Sequence, residues 1–96
     1  MSRQIGVVTH YFNRIGVAAL ELSDVIRAGD CIRVVGYTTE FAQVVCSLEI
    51  NHRPVSMAGP GMDVALKMVE RVRVGDRVYR LSGEEAEEAL ATMGAG

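Results

Sequence analysis

The chain contains no tryptophan, two phenylalanines and three tyrosines, so its interior has to be built from Val, Ile, Leu, Ala and Met. The two histidines, His10 and His52, and the two cysteines, Cys31 and Cys46, match no zinc-ligand spacing, and no metal is expected. No apolar run approaches the ~20 residues that a membrane-crossing helix needs. The opening residues, MSRQIGVVTHYF, lack a signal peptide's long apolar stretch and small-residue cleavage site. A cytoplasmic protein without membrane contact is therefore expected. No G-x-x-x-x-G-K-[ST] loop is present, so P-loop nucleotide hydrolysis is excluded. Gly59-Pro60-Gly61 is short, contains Pro, lacks the lysine and reads as a turn. Ser23, Ser47 and Ser56 sit in no nucleophile-elbow context, and neither cysteine forms a recognisable Cys-His pair. No enzyme activity and no cofactor are expected.

What is present fits one small domain. The chain has 96 residues, 49% of them hydrophobic, which is too apolar for a disordered segment. Its net charge is −2, unevenly spread. Glu84, Glu85, Glu87 and Glu88 lie in the C-terminal tail, and no basic residue follows Arg80. Without that tail the body carries ten basic and eight acidic residues, a net of +2, far from the dense basic patch of a dedicated DNA binder. Nine of the ten basic residues are Arg; only Lys67 is Lys.

Alternating apolar residues with Gly and Asn punctuation predict strands over Ile5–Phe12, Gly16–Leu22, Asp30–Val35, Phe41–Ile50, Met62–Met68 and Asp76–Leu81. In the fourth, Val44, Cys46, Leu48 and Ile50 would share one face, so both cysteines read as buried free thiols, with a disulfide as the alternative. Recurrent glycines argue against a helical bundle, since each costs about 1 kcal/mol in a helix interior. IRAGDCIRVV and VRVGDRVYRL use one turn twice. Gly29 and Gly75 supply the unusual backbone angle, Asp30 and Asp76 cap the turn, and a strand follows. The expected fold is all-β, a small closed six-stranded antiparallel β-barrel over residues 1–81, whose closure would remove exposed strand edges. Residues 82–96 form an acidic tail in which Ser82-Gly83-Glu84-Glu85 reads as a capping box and Ala86, Ala89, Leu90 and Met93 follow at helical spacing. A short C-terminal helix is expected.

Two features stand out as candidate contacts. Asn51-His52-Arg53-Pro54 interrupts apolar strands with hydrogen-bond donors; it reads as a solvated loop or as the lip of a ligand site. Lys67 is set among Val64, Leu66 and Met68, and alternation turns it away from Val64 and Leu66, with its stem on apolar surface.

From Arg14 to Leu81 the chain resembles the β-barrel second domain of translational GTPases such as elongation factor Tu and initiation factor 2. The matching parts are Ile15–Leu22 (IGVAALEL), Ile26–Asp30 (IRAGD), Cys31–Gly36 (CIRVVG), Leu48-Glu49-Ile50 for a V-E-M-like triplet, Pro60–Ala65 (PGMDVA), and Arg73-Val74-Gly75-Asp76. The resemblance implies a translation-protein barrel occurring as a stand-alone small protein, and contact with tRNA, rRNA or the ribosome. It makes Glu49, at the triplet's acid, a contact for a terminal adenosine. Lys67 stands where the family has an apolar residue, which would favour phosphate. With Glu49, His52, Arg53 and Lys67 as ligand contacts, the expected function is a non-enzymatic RNA- or ribonucleoprotein-binding module. The rival is a protein-interaction or accessory module for a separately encoded enzyme such as a peptidase, since similar barrels are appended to some peptidases.

Overall fold

The computed structural model describes residues 2–94. Strand β1 covers Ser2–Phe12, β2 Val17–Leu22, β3 Ile26–Arg27, β4 Cys31–Val35, β5 Glu40–Val44, β6 Leu48–Ile50, β7 Arg53–Val55, β8 Met57–Ala58, β9 Asp63–Lys67 and β10 Arg77–Leu81; helix α1 covers Gly83–Gly94. Eight strands form one antiparallel sheet in the order β5-β4-β10-β1-β2-β9-β6-β7, and β3 pairs with β8 in a separate ribbon. The sheet curls around Ile5, Val8, Leu20, Ile26, Ile32, Val34, Leu48, Val64, Leu66 and Val78, all at most 1% exposed. Most are the inward positions of a period-two pattern; in β1, irregularities at Gln4/Gly6 and Val8/His10 let both Ile5 and Val8 face inward. The aliphatic core expected from the missing aromatics is what forms.

Two expectations are corrected. The sheet is not a closed six-stranded barrel: β5 and β7 remain its edges. β7 is three residues long and carries Pro54, which has no N–H to extend a ladder. Beside β5 the gap is spanned by one side chain. Gln43, 2% exposed, donates from Nε2 to the Lys67 carbonyl (2.8 Å) and accepts at Oε1 from the Val69 N–H (2.8 Å). The buried amide satisfies the end of β9 where a ladder would otherwise be required.

Phe41–Ile50 is also not one strand. β5 ends at Val44, and the register changes before β6, so Phe41, Gln43, Val45 and Leu48 point inward. Cys46 falls in the break and is exposed, while Cys31 is buried; both are free thiols.

The repeated turn has the same geometry in both places. Gly29 and Gly75 each have φ +95°. The Asp30 and Asp76 carboxylates each accept the N–H of the Arg three residues earlier at 2.9 Å. Gly29 and Gly75 donate to Val45 and Val8 at 2.8 Å, so each turn is tied to a neighbouring strand. Gly at the third position with φ > 0 and an Arg-carbonyl-to-Asp-N–H bond define a type II turn. Asp76 is the more buried, and a Cβ on Gly36 would fall on its carboxylate.

Helix α1 starts with Glu84 and Glu85 in its first turn, where the helix dipole favours acids. Its apolar side, Ala86, Ala89 and Met93, packs on Cys31, Ala42 and Leu81, the outer face of the β10-β4-β5 corner. No helix among the described residues is long and apolar enough to cross a membrane.

Candidate functional site

β1 and β2 run on past the core as a hairpin. Beyond Val8 the β1 side chains are exposed or half-buried, and Phe12 and Ile15 at the tip are 46% and 58% exposed. The His10 and Phe12 rings lie 4.3 Å apart. Next to this tip the outer face of β2-β9-β6 presents Val17, Ala65 and Glu49. Register places Val17 opposite Lys67 and Ala65 opposite Glu49. The small side chain of Ala65 leaves a hollow of about 260 Å³, lined by Phe12, Ile15, Val17, Ser47, Glu49, His52, Ala65 and Lys67.

Three of the four candidates named from sequence therefore meet. Glu49 stands on β6, and Lys67 points outward at the end of β9, as alternation predicts. The Lys67 ammonium donates to the Ile15 carbonyl, which pins the hairpin tip against β9. His52 lies in the β6–β7 connection, where Asn51 (φ 52°) and His52 (φ 64°) are both left-handed. Two consecutive positive φ values are the signature of a two-residue type I′ hairpin. The segment is thus a tight turn leading into β7 and not an extended polar loop. Arg53 belongs to β7 and pairs with Ile50; it does not line the hollow.

Phe12, Ile15, Val17, Ser47 and Ala65 were not singled out by sequence. The available signal was Ile15, an apolar residue directly after the turn residues Asn13-Arg14, where solvent exposure follows. The hollow can hold an apolar group on Phe12, Ile15 and Val17, with a carboxylate, an imidazole and an ammonium at its rim. Among the described residues no group of three or more His, Cys, Asp or Glu side chains gathers as a metal site.

At the opposite end, Asp24 in the β2–β3 connection ties to the start of β1 through Arg3 and to β10 through Arg80. Its carboxylate lies 2.6 Å from Arg3 Nε and 3.4 Å from an Arg80 guanidinium nitrogen, and accepts the Val25 N–H at 2.7 Å. The Val25 bond, with smaller help from Arg3 and Arg80, holds this carboxyl below its ordinary range despite partial desolvation. Burial pushes the Cys31 thiol up, partly offset by Arg33.

No family model matches the sequence. The chain is 40% identical over 79 residues, 81% of its length, to an uncharacterized protease of Methanocaldococcus jannaschii. It is 32% identical over 83 residues to a collagenase of Porphyromonas gingivalis. It spans 19% of the former and 23% of the latter, about a fifth of these relatives. Among solved structures, the C-terminal domain of a protein described as a U32 peptidase of Geobacillus thermoleovorans superposes with TM-score 0.77 at 20% identity, covering 81% of this chain and 91% of that one. GDP-bound aIF5B of Aeropyrum pernix superposes with TM-score 0.69 at 21% identity, covering 94% of this chain and 18% of that one.

These matches correct the translation-factor expectation. The likeness to a translation factor is one of fold, and the sequence relatives are a protease and collagenases. Shared barrel-like architecture explains why the strand-and-turn motifs resembled the translational domain, because Gly-Asp turns and apolar strands encode the fold and not its ligand.

Proposed function

We propose that this chain is a non-catalytic interaction module that serves the catalytic body of a peptidase of the U32 and collagenase kind. The observation that carries the reading is the match of 81% of the chain to only 19% of a protease, a segment whose fold also occurs as a peptidase's C-terminal domain. The remaining four-fifths of such a relative is where a catalytic apparatus has room to lie. In this chain the hollow offers Glu49, His52 and Lys67 around an apolar floor, an apolar centre with a polar rim of the kind that protein interfaces use. Phe12 and Ile15 would supply the buried apolar anchor, and the three polar side chains the rim.

The test is calorimetric titration of the purified chain into Porphyromonas gingivalis collagenase from which the matched segment has been removed. Saturable binding that weakens on Phe12→Ala and Ile15→Ala, with folding intact, is the expected result. No heat up to about 100 μM, where a useful interface should register, would remove the reading.

A further inference from the structure

β5 and β7 are the two edges of the sheet, and they are not equivalent. β7 is short and blunted by Pro54. β5 has five residues and no proline. Its ladder with β4 fixes which backbone groups are free. Gly36 donates to the Thr39 carbonyl and Val45 to the Asp30 carbonyl, each at 2.8 Å. In the register between them, Arg33 faces Ala42 and Val34 faces Phe41. Antiparallel alternation then gives the β4 bonds to Phe41 and Gln43, and turns the N–H and C=O of Glu40, Ala42 and Val44 outward. The Val44 carbonyl already accepts from Gln43 Nε2 and Cys46 Sγ. The open pair is therefore centred on Ala42.

A groove of about 430 Å³ lies beside it, lined by Arg33, Phe41 and Ala42 on the sheet side, by Glu88, Ala89, Thr92 and Met93 of α1, and by Glu70. Arg33 is engaged with Glu40 at 3.7 Å. Among the described residues Glu70 and Glu88 have no cation within ion-pair distance.

We propose that this edge accepts an extended, basic segment of another polypeptide, which adds to the sheet as a strand beside Glu40–Ala42 of β5, short of the Val44 end that Gln43 ties to Lys67 and Val69. Its backbone would pair with Ala42, alternate apolar side chains would lie against Ala89 and Met93, and basic side chains would meet Glu70 and Glu88. Charge selects this occupant over a second copy of the chain, because β5-to-β5 pairing would bring two acidic groove walls together. The inference concerns a different surface from the hollow and stands or falls separately from the peptidase reading.

The test uses the full chain, isotopically labelled, and a blocked octapeptide alternating lysine and valine, followed by amide shifts and amide exchange. Its glutamate-valine counterpart is the control. The expected result is saturable shifts centred on Glu40–Val44, with slowed exchange of the Ala42 amide and no comparable response to the acidic peptide. Ala42→Pro removes the outward donor while leaving the β4 bonds, and should abolish binding. Glu70→Lys with Glu88→Lys changes only exposed side chains and should weaken binding by about fivefold or more. The proposal is overturned if neither peptide shifts β5 up to about 1 mM. Equal response to both peptides, or shifts confined to the Glu49–Lys67 hollow, would overturn it too. So would concentration-dependent protection of β5 without peptide, since that makes a second copy the occupant.

Discussion

At the scale of single residues, two groups make measurable predictions. Asp24 has its carboxyl held low by the Val25 N–H first and then by Arg3 and Arg80. A depressed carboxyl contributes stability that is fully present above its unfolded value of about 3.9 and is lost as pH falls through the folded value. Acid unfolding curves should therefore show a steeper loss below about pH 4 for the native chain than for Asp24→Asn. Superimposable slopes would show that the Arg3-Asp24-Arg80 cluster does not link to folding. The cysteines give the second prediction. Cys31 lies under α1 and Cys46 in the open break after β5. A thiol reagent under native conditions should modify Cys46 alone, and Cys31 should react only on unfolding. Native modification of both at similar rates would contradict the packing of α1 on the sheet.

At the scale of elements, the curled sheet depends on Gln43. Gln43→Ala leaves the Val69 N–H and the Lys67 carbonyl without their buried partner and opens space beside β5. A cost of about 2–4 kcal/mol in urea unfolding is expected. A change below about 1 kcal/mol would mean that water replaces the amide without penalty. The same residue shows where sequence reasoning stops. Strands β2, β4, β9 and β10 were legible because their inward faces alternate and because Gly29-Asp30 and Gly75-Asp76 mark strand entries. β1 was legible as an apolar run, but its ladder irregularities at Gln4/Gly6 and Val8/His10 were not. Helix α1 was legible from its acids and its Ala86, Ala89 and Met93 spacing. The run FAQVVCSLEI was misread, because adjacent apolar residues such as Val44 and Val45 permit either register. Only the tertiary bonds of Gln43 and Val45 decide it. Closure was not legible either, since it depends on whether two distant edges meet. Within the site, the outward position of Lys67 followed from alternation. Its convergence with Glu49 and His52 came from the pairing of β6 with β9, which local pattern does not encode.

At the scale of the whole molecule, a body measuring 33 × 24 × 21 Å presents two separate surfaces, the Phe12–Lys67 hollow and the β5 groove. A small domain with two such surfaces suits a role of holding other polypeptides. Its sequence relatives are a protease and collagenases, and it matches about a fifth of their length. The most direct measurement is collagen hydrolysis by three forms of the Porphyromonas gingivalis collagenase: intact, lacking the matched segment, and with that segment replaced by this chain. The account predicts that deletion lowers hydrolysis and that replacement restores it, with Phe12→Ala and Ile15→Ala in the inserted chain reversing the gain. A folded replacement no more active than the deletion, or a deletion as active as the intact enzyme, would contradict it.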